Sequence, residues 1–160
     1  MAASMEGLAV HPLARTDFRL AFPLVQAAVP TLDLRGWLRF AHRVGCPERP
    51  ERSGIMAARR SARPHPVGLF CYHRARSLEC ASVLIADCFI VIDIIDHRPV
   101  MRALLAAFEH LGETVDCPIV RTVIGAGSVE IAGSLLAAGY RREAAMFCKS
   151  LPGAKTAYIR

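Results

Sequence analysis

The sequence predicts an α/β fold: a single domain on a mixed sheet of about six to seven strands, with helices on both faces. Three observations predict it. The chain has 160 residues, one domain's worth. Its apolar fraction is 53 %, spread along most of the chain, so folding can bury a core without staples. Helical periodicity alternates with β-branched runs, in the order strand, two helices, three strands, helix, strand, helix, strand.

Leu8 to Leu13 reads as a short opening strand. Thr16 offers a helix N-cap with Asp17 in the first turn, and Phe18, Phe22 and Val25 follow at helical spacing. Pro30 punctuates that helix. Asp33 caps a second, whose inward face carries Trp37, Phe40 and Val44, and Gly45 closes it. The segment from Pro47 to Ser53 is a loop. Gly54–Arg60, Val67–Arg74 and Ser82–Ile95 are then expected as consecutive antiparallel strands, the last being long and central.

Pro99 suits the first turn of a third helix. Val100, Leu104, Ala107, Phe108 and Leu111 form its apolar stripe, and Gly112 ends it. Pro118–Ile124 is a short strand. A fourth helix starts near Ser128 and stops at Gly139. Tyr140–Leu151 reads as a last strand or strand pair, so the domain spans 1–151 and 152–160 is a tail. A central strand, a helix and a parallel strand make a right-handed crossover.

Composition excludes several classes. None of the six cysteines lies two to four residues from another, so no zinc or redox spacing is present and no metal is expected. Cys71, Cys88, Cys117 and Cys148 sit in apolar runs and read as buried, reduced thiols, which suits a cytoplasmic location. The longest apolar run, Ala81 to Ile95, is too short and too charged to span a bilayer, and the N-terminus lacks a signal-peptide pattern. The net charge of +6 favours an anionic partner, with Arg59, Arg60, Arg63, Arg74 and Arg76 in two clusters. No aromatic residues interleave with them, so nucleic acid is the least favoured partner.

Three passages carry a family resemblance. AVHPLARTDFRLAF is similar to the first strand and helix start of the GNAT N-acetyltransferase superfamily. DHRPVMRALLAAFEHLG is similar to its cofactor loop and following helix. SVEIAGSLLAAGYRREAAMFCKSL is similar to its fourth helix and closing strands, with Gly139-Tyr140 at the Gly-aromatic joint. By element order the likeness covers nearly the whole chain.

The resemblance implies an acyl-CoA-dependent N-acetyltransferase that takes acetyl-CoA as co-substrate and acetylates an amine of a small molecule or protein; it leaves room for a homodimer. The alternative is a GNAT-like module without catalysis. In the family the pantetheine arm lies where the central strand splays from its neighbour, and the pyrophosphate rests on amides at the next helix start. Here the cofactor loop is degenerate. Asp96 stands at its first position, and Pro99 and Met101 replace the usual small residues at the fourth and sixth. His97, Arg98 and Arg102 then supply positive charge, and Val100 and Met101 supply amides. The backbone near Ile92 to Ile94 is expected to polarise the thioester carbonyl. Asp87 and Asp93 are the candidate bases, sharing one strand face with Val83, Phe89 and Val91 unless a bulge intervenes. Leu135 stands where the family often places an acid tyrosine and Ser128 where Asn often begins the helix; Tyr72 and Tyr140 read as packing residues.

Overall fold

Alternation of apolar residues along four consecutive strands lets one sheet carry a core on each face. The computed structural model describes residues 7–45, 48–61, 63–92, 96–125 and 128–144, with Met146 and Lys149. Its strands are β1 (Leu8–Pro12), β2 (Ser53–Arg60), β3 (Gly68–Ala75), β4 (Val83–Val91) and β5 (Ile119–Thr122). They lie in that order: β1 to β4 are antiparallel neighbours, and β5 runs parallel to β4. The sheet therefore has five strands among the described residues, not six to seven. Residues 140–144 carry no strand, and most of 145–151 lies outside the described set, as does the tail 152–160.

The helices are α1 (Phe18–Ala28), α2 (Leu34–Val44), α3 (Arg98–Thr114) and α4 (Val129–Ala137). They cover both faces. Phe70, Tyr72, Leu84, Ala86 and Phe89 pack with Val100, Leu104 and Phe108 of α3 and Leu135 of α4. On the other side Ile55, Ala57, Leu69, Cys71 and Ile90 pack with Phe18, Leu24 and Val25 of α1 and Trp37 and Ala41 of α2. Trp37 is 1 % exposed and donates its indole N–H to the Phe18 carbonyl at 2.7 Å, tying α2 to the start of α1.

Helix ends follow local chemistry, with two corrections. Asp33 caps α2 by accepting the Gly36 N–H at 2.6 Å. Thr16 does not cap α1. A 3-10 turn at Arg15–Asp17 leads into that helix, and the Asp17 carboxylate instead pairs with Arg59 at 2.7 Å. Gly112 does not end α3. It is buried two residues before the helix end, where a Cβ would meet Val120 Cγ1 at 2.7 Å. Gly139 does terminate α4. Its φ of +90° lets the Gly139 and Tyr140 N–H groups reach back to the Leu136 and Leu135 carbonyls.

The central feature is a bulge. Cys71 faces Cys88, yet the next β3 residue, Tyr72, faces Ala86, so Asp87 is an extra residue in β4. Side-chain parity slips there. Leu84 and Ala86 share the α3 face with Phe89, not with Cys88 or Ile90.

Candidate active site

β4 and β5 pair over Val83–Ala86 and Ile119–Thr122. The last bond between them runs from the Val123 N–H to the Ala86 carbonyl at 3.0 Å. From Asp87 to Val91, β4 continues with β3 as its paired neighbour, so the strands part at the bulge. The Ile92 N–H donates to Val67 at 3.0 Å, which is the β3 side. By the alternation of an antiparallel ladder, the amides of Phe89 and Val91 then point to the opened edge.

A cavity of about 390 Å³ lies at the mouth of this fork, lined by Val91, His97, Met101, Ser128, Val129, Glu130 and Ile131. It brings together the end of β4 and the starts of α3 and α4. His97 Nε2 stands 3.7 Å from the Glu130 carboxylate across it. Deeper along the fork, the Thr122 hydroxyl is buried with no hydrogen-bond partner among the described residues. An unpartnered buried hydroxyl is unfavourable by about 1–3 kcal/mol, so a bound polar group would relieve it.

The start of α3 is poor in free amides. The Arg98 N–H donates to the Asp96 carboxylate at 3.0 Å, Pro99 has none, and the Met101 N–H donates to the His97 carbonyl at 2.9 Å. That leaves the Val100 amide without an acceptor among the described residues. The Val100 side chain is fully buried and Met101 is 1 % exposed, while Arg98 and Arg102 are exposed and stand outside the cavity lining.

Of the residues expected from sequence, His97 and Met101 meet in the cavity. Ile92 cannot offer its amide, because Val67 already accepts it. Asp93 and Ile94 lie outside the described residues. Asp87 does not share a continuous apolar face with Val83, Phe89 and Val91, because the bulge breaks the parity. It is exposed, and its carboxylate lies 2.9 Å from His73 Nδ1 on β3. A carboxylate only accepts, so Nδ1 is the donor in this contact and Nε2 points away from it. His73 shares strand parity with Leu69 and Cys71, which places it on the α1–α2 side of the sheet.

The tyrosines are poorly placed to act as acids. The Tyr72 hydroxyl donates to the Pro50 carbonyl at 2.8 Å. Burial, then the nearby Glu109 carboxylate, pushes the Tyr140 phenol far above its ordinary value. Cys71 and Cys88 are free thiols facing each other. Their mutual hydrogen bond, with burial, raises Cys71, and the same bond lowers Cys88. No group of three potential metal ligands occurs among the described residues, and no described helix is long and apolar enough to cross a membrane.

Nothing in the sequence marks Glu130, Ser128 and Val91 as lining residues; His73 reads there as a possible base or a satisfied strand histidine, and the structure pairs it with Asp87. The carboxylate in an apolar strand was visible in the sequence, but no sequence signal gives the register that pairs it with His73.

No family model matches the chain, and no curated protein matches it in sequence. Solved structures do match. The aminoglycoside N-acetyltransferase AAC(6')-Iy, in complex with CoA, is 13 % identical with a TM-score of 0.77, over 94 % of this chain and 99 % of that one. The ribosomal-protein-alanine N-acetyltransferase of Brucella melitensis biovar Abortus 2308 is 10 % identical at a TM-score of 0.73, over 91 % and 100 % of the two chains. The glucosamine-6-phosphate N-acetyltransferase of Arabidopsis thaliana is 10 % identical at 0.70, over 91 % and 99 %. At these identities the likeness is one of fold: the chain has the GNAT acetyltransferase fold.

Proposed function

We propose that the chain is an N-acetyltransferase that uses acetyl-CoA as co-substrate and acetylates the amine of a small molecule or protein. The observation that carries this reading is the parting of β4 from β5 at Asp87, with a cavity at the mouth of the opening. A pantetheine arm presents amides along a narrow chain. The open edge of β4 offers complementary backbone groups. The fold supports the same reading, since its solved neighbours include acetyltransferases with CoA and a CoA bisubstrate analogue.

His97, Val100, Met101 and Ser128 are the residues assigned to hold the cofactor at the mouth. With few free amides at α3, the charge of Arg98 and Arg102 takes a larger share of phosphate binding than backbone does, with the His97 ring as a further hydrogen-bonding group. The Phe89 amide, on the open edge two residues past Asp87, is assigned in place of Ile92 to polarise the thioester carbonyl.

His73 and Asp87 stand on the far side of the fork, next to the residue where β5 leaves. His73 Nε2 is assigned as the base and Asp87 as the group that fixes its tautomer and orientation. The acceptor nitrogen forms a bond to the thioester carbonyl carbon, and the carbon–sulfur bond breaks with its electron pair leaving on sulfur. The proton lost by nitrogen goes to His73 Nε2. Neither tyrosine is needed to protonate the sulfur, because a thiol with a pKa of about 8.5 is a tolerable leaving group as thiolate.

The test is a melting curve with and without acetyl-CoA. Ligand at ~100 times its Kd stabilises the fold by about 2.7 kcal/mol, so about 1 mM acetyl-CoA should raise Tm by several degrees. An unchanged Tm, with no calorimetric heat, would overturn the assignment and leave a GNAT-fold binding module.

A further inference from the structure

We infer that the outer face of α1 and α2 is a docking surface for an acidic, amphipathic polypeptide segment. A groove of about 660 Å³ runs along this face. Two rows of α2 form most of it. Arg35, Arg39 and Arg43 follow one another at four-residue spacing, and so do Leu34, Leu38 and His42 beside them. Arg19 of α1 closes the opposite side.

The charge of this groove is unopposed. No acidic residue lines it, and none of its four arginines makes an ion pair among the described residues. The nearest acid in sequence, Asp33, is occupied in capping α2. Like charges four apart on a helix repel, so the isolated molecule holds an unfavourable stripe that an anionic partner would relieve.

The floor selects the kind of anion. Leu34 and Leu38 are half-buried and line the groove beside the row of arginines. They offer shelter to aliphatic side chains and no aromatic platform on which bases would stack. They are recessed and do not project as an element that inserts into a bilayer does. A polypeptide with carboxylates flanking aliphatic residues matches both the rim and the floor. This surface shares no residue with the fork, so its test is independent of acetyl transfer.

The test uses a fluorescein-labelled peptide of glutamate with leucine at helical spacing, titrated with the full chain and followed by anisotropy. Saturable binding is expected, weakening with added salt. The double variant Arg35→Glu, Arg39→Glu should lower affinity about tenfold or more. Leu38→Ser should weaken binding while leaving its salt dependence intact, since it removes shelter and not charge. The same peptide with lysine for glutamate should not bind. If the charge reversal lowers Tm, the pair Arg39→Gln, Arg43→Gln replaces it. No saturable binding, or equal affinity in these variants, overturns the proposal. So does tighter binding of duplex DNA or of phosphatidylglycerol vesicles that the same variants abolish.

Discussion

His73 and Asp87 are separated by 14 positions in sequence and by 2.9 Å in space. Their pairing gives a prediction that divides their roles. His73→Gln should lower kcat about 10²–10⁴-fold with little change in KM for acetyl-CoA, because it removes a proton acceptor and not a binding contact. Asp87→Asn should cost less, since the imidazole remains and only its tautomer and orientation are released. An unchanged kcat in His73→Gln would remove His73 from the mechanism. At this scale the sequence made each member legible as a possible base, but not their pairing. A carboxylate inside an apolar, β-branched run is conspicuous because ionised groups are seldom placed there without a partner. The identity of the partner depends on strand register, which one extra residue in β4 resets.

At the scale of elements, the fork and the start of α3 decide what can bind. β5 is only four residues long, and β4 bulges where β5 ends. Together these leave a stretch of strand edge open beside a helix start. The helix itself is held close to the sheet. A Cβ on Gly68 would meet Val100 Cγ1 at 2.8 Å and Leu104 Cδ1 at 3.0 Å, so β3 must carry glycine where α3 crosses. Pro99 is the one residue of that helix start with no amide to give. Pro99→Gly restores an N–H, and calorimetry should show acetyl-CoA affinity unchanged or higher, by up to about tenfold for one added bond. Arg98→Ala and Arg102→Ala should each weaken binding by about threefold, the scale of an exposed charge contact. If all three variants bind as the wild type does, the pyrophosphate does not rest at this helix. Helix positions were readable from periodicity, and Asp33 and Gly139 from cap chemistry. Thr16 and Gly112 misled for one reason: a residue suited to ending a helix marks a boundary only if its neighbours leave that role open. Asp17 is drawn to Arg59, and Gly112 is required by the approach of Val120.

Across the whole molecule, two cores share one sheet. On the α3–α4 side the rings of Phe70, Phe89 and Phe108 meet within 5.2–5.9 Å, edge to face or tilted. On the α1–α2 side Trp37 is the largest buried residue, and its indole bond holds the two helices together. Trp37→Ala should destabilise the fold by about 3–5 kcal/mol by chemical denaturation. Trp37→Phe should lose about 1–2 kcal/mol, chiefly the hydrogen bond to the Phe18 carbonyl. A loss under ~1 kcal/mol for the alanine variant would mean that the α1–α2 layer is not a cooperative part of the domain.

The sequence by itself determined the layers: which segments are helical, which are extended, and that both faces of the sheet are covered. Those follow from hydrophobic periodicity, which is local. The GNAT element order was readable for the same reason. Only the tertiary structure decided where β4 leaves β5, which amide points to the opened edge, and which imidazole faces Asp87. Each of these depends on the pairing of residues distant along the chain. In a strand, one inserted residue moves every later side chain to the other face and turns every later amide toward the other neighbour.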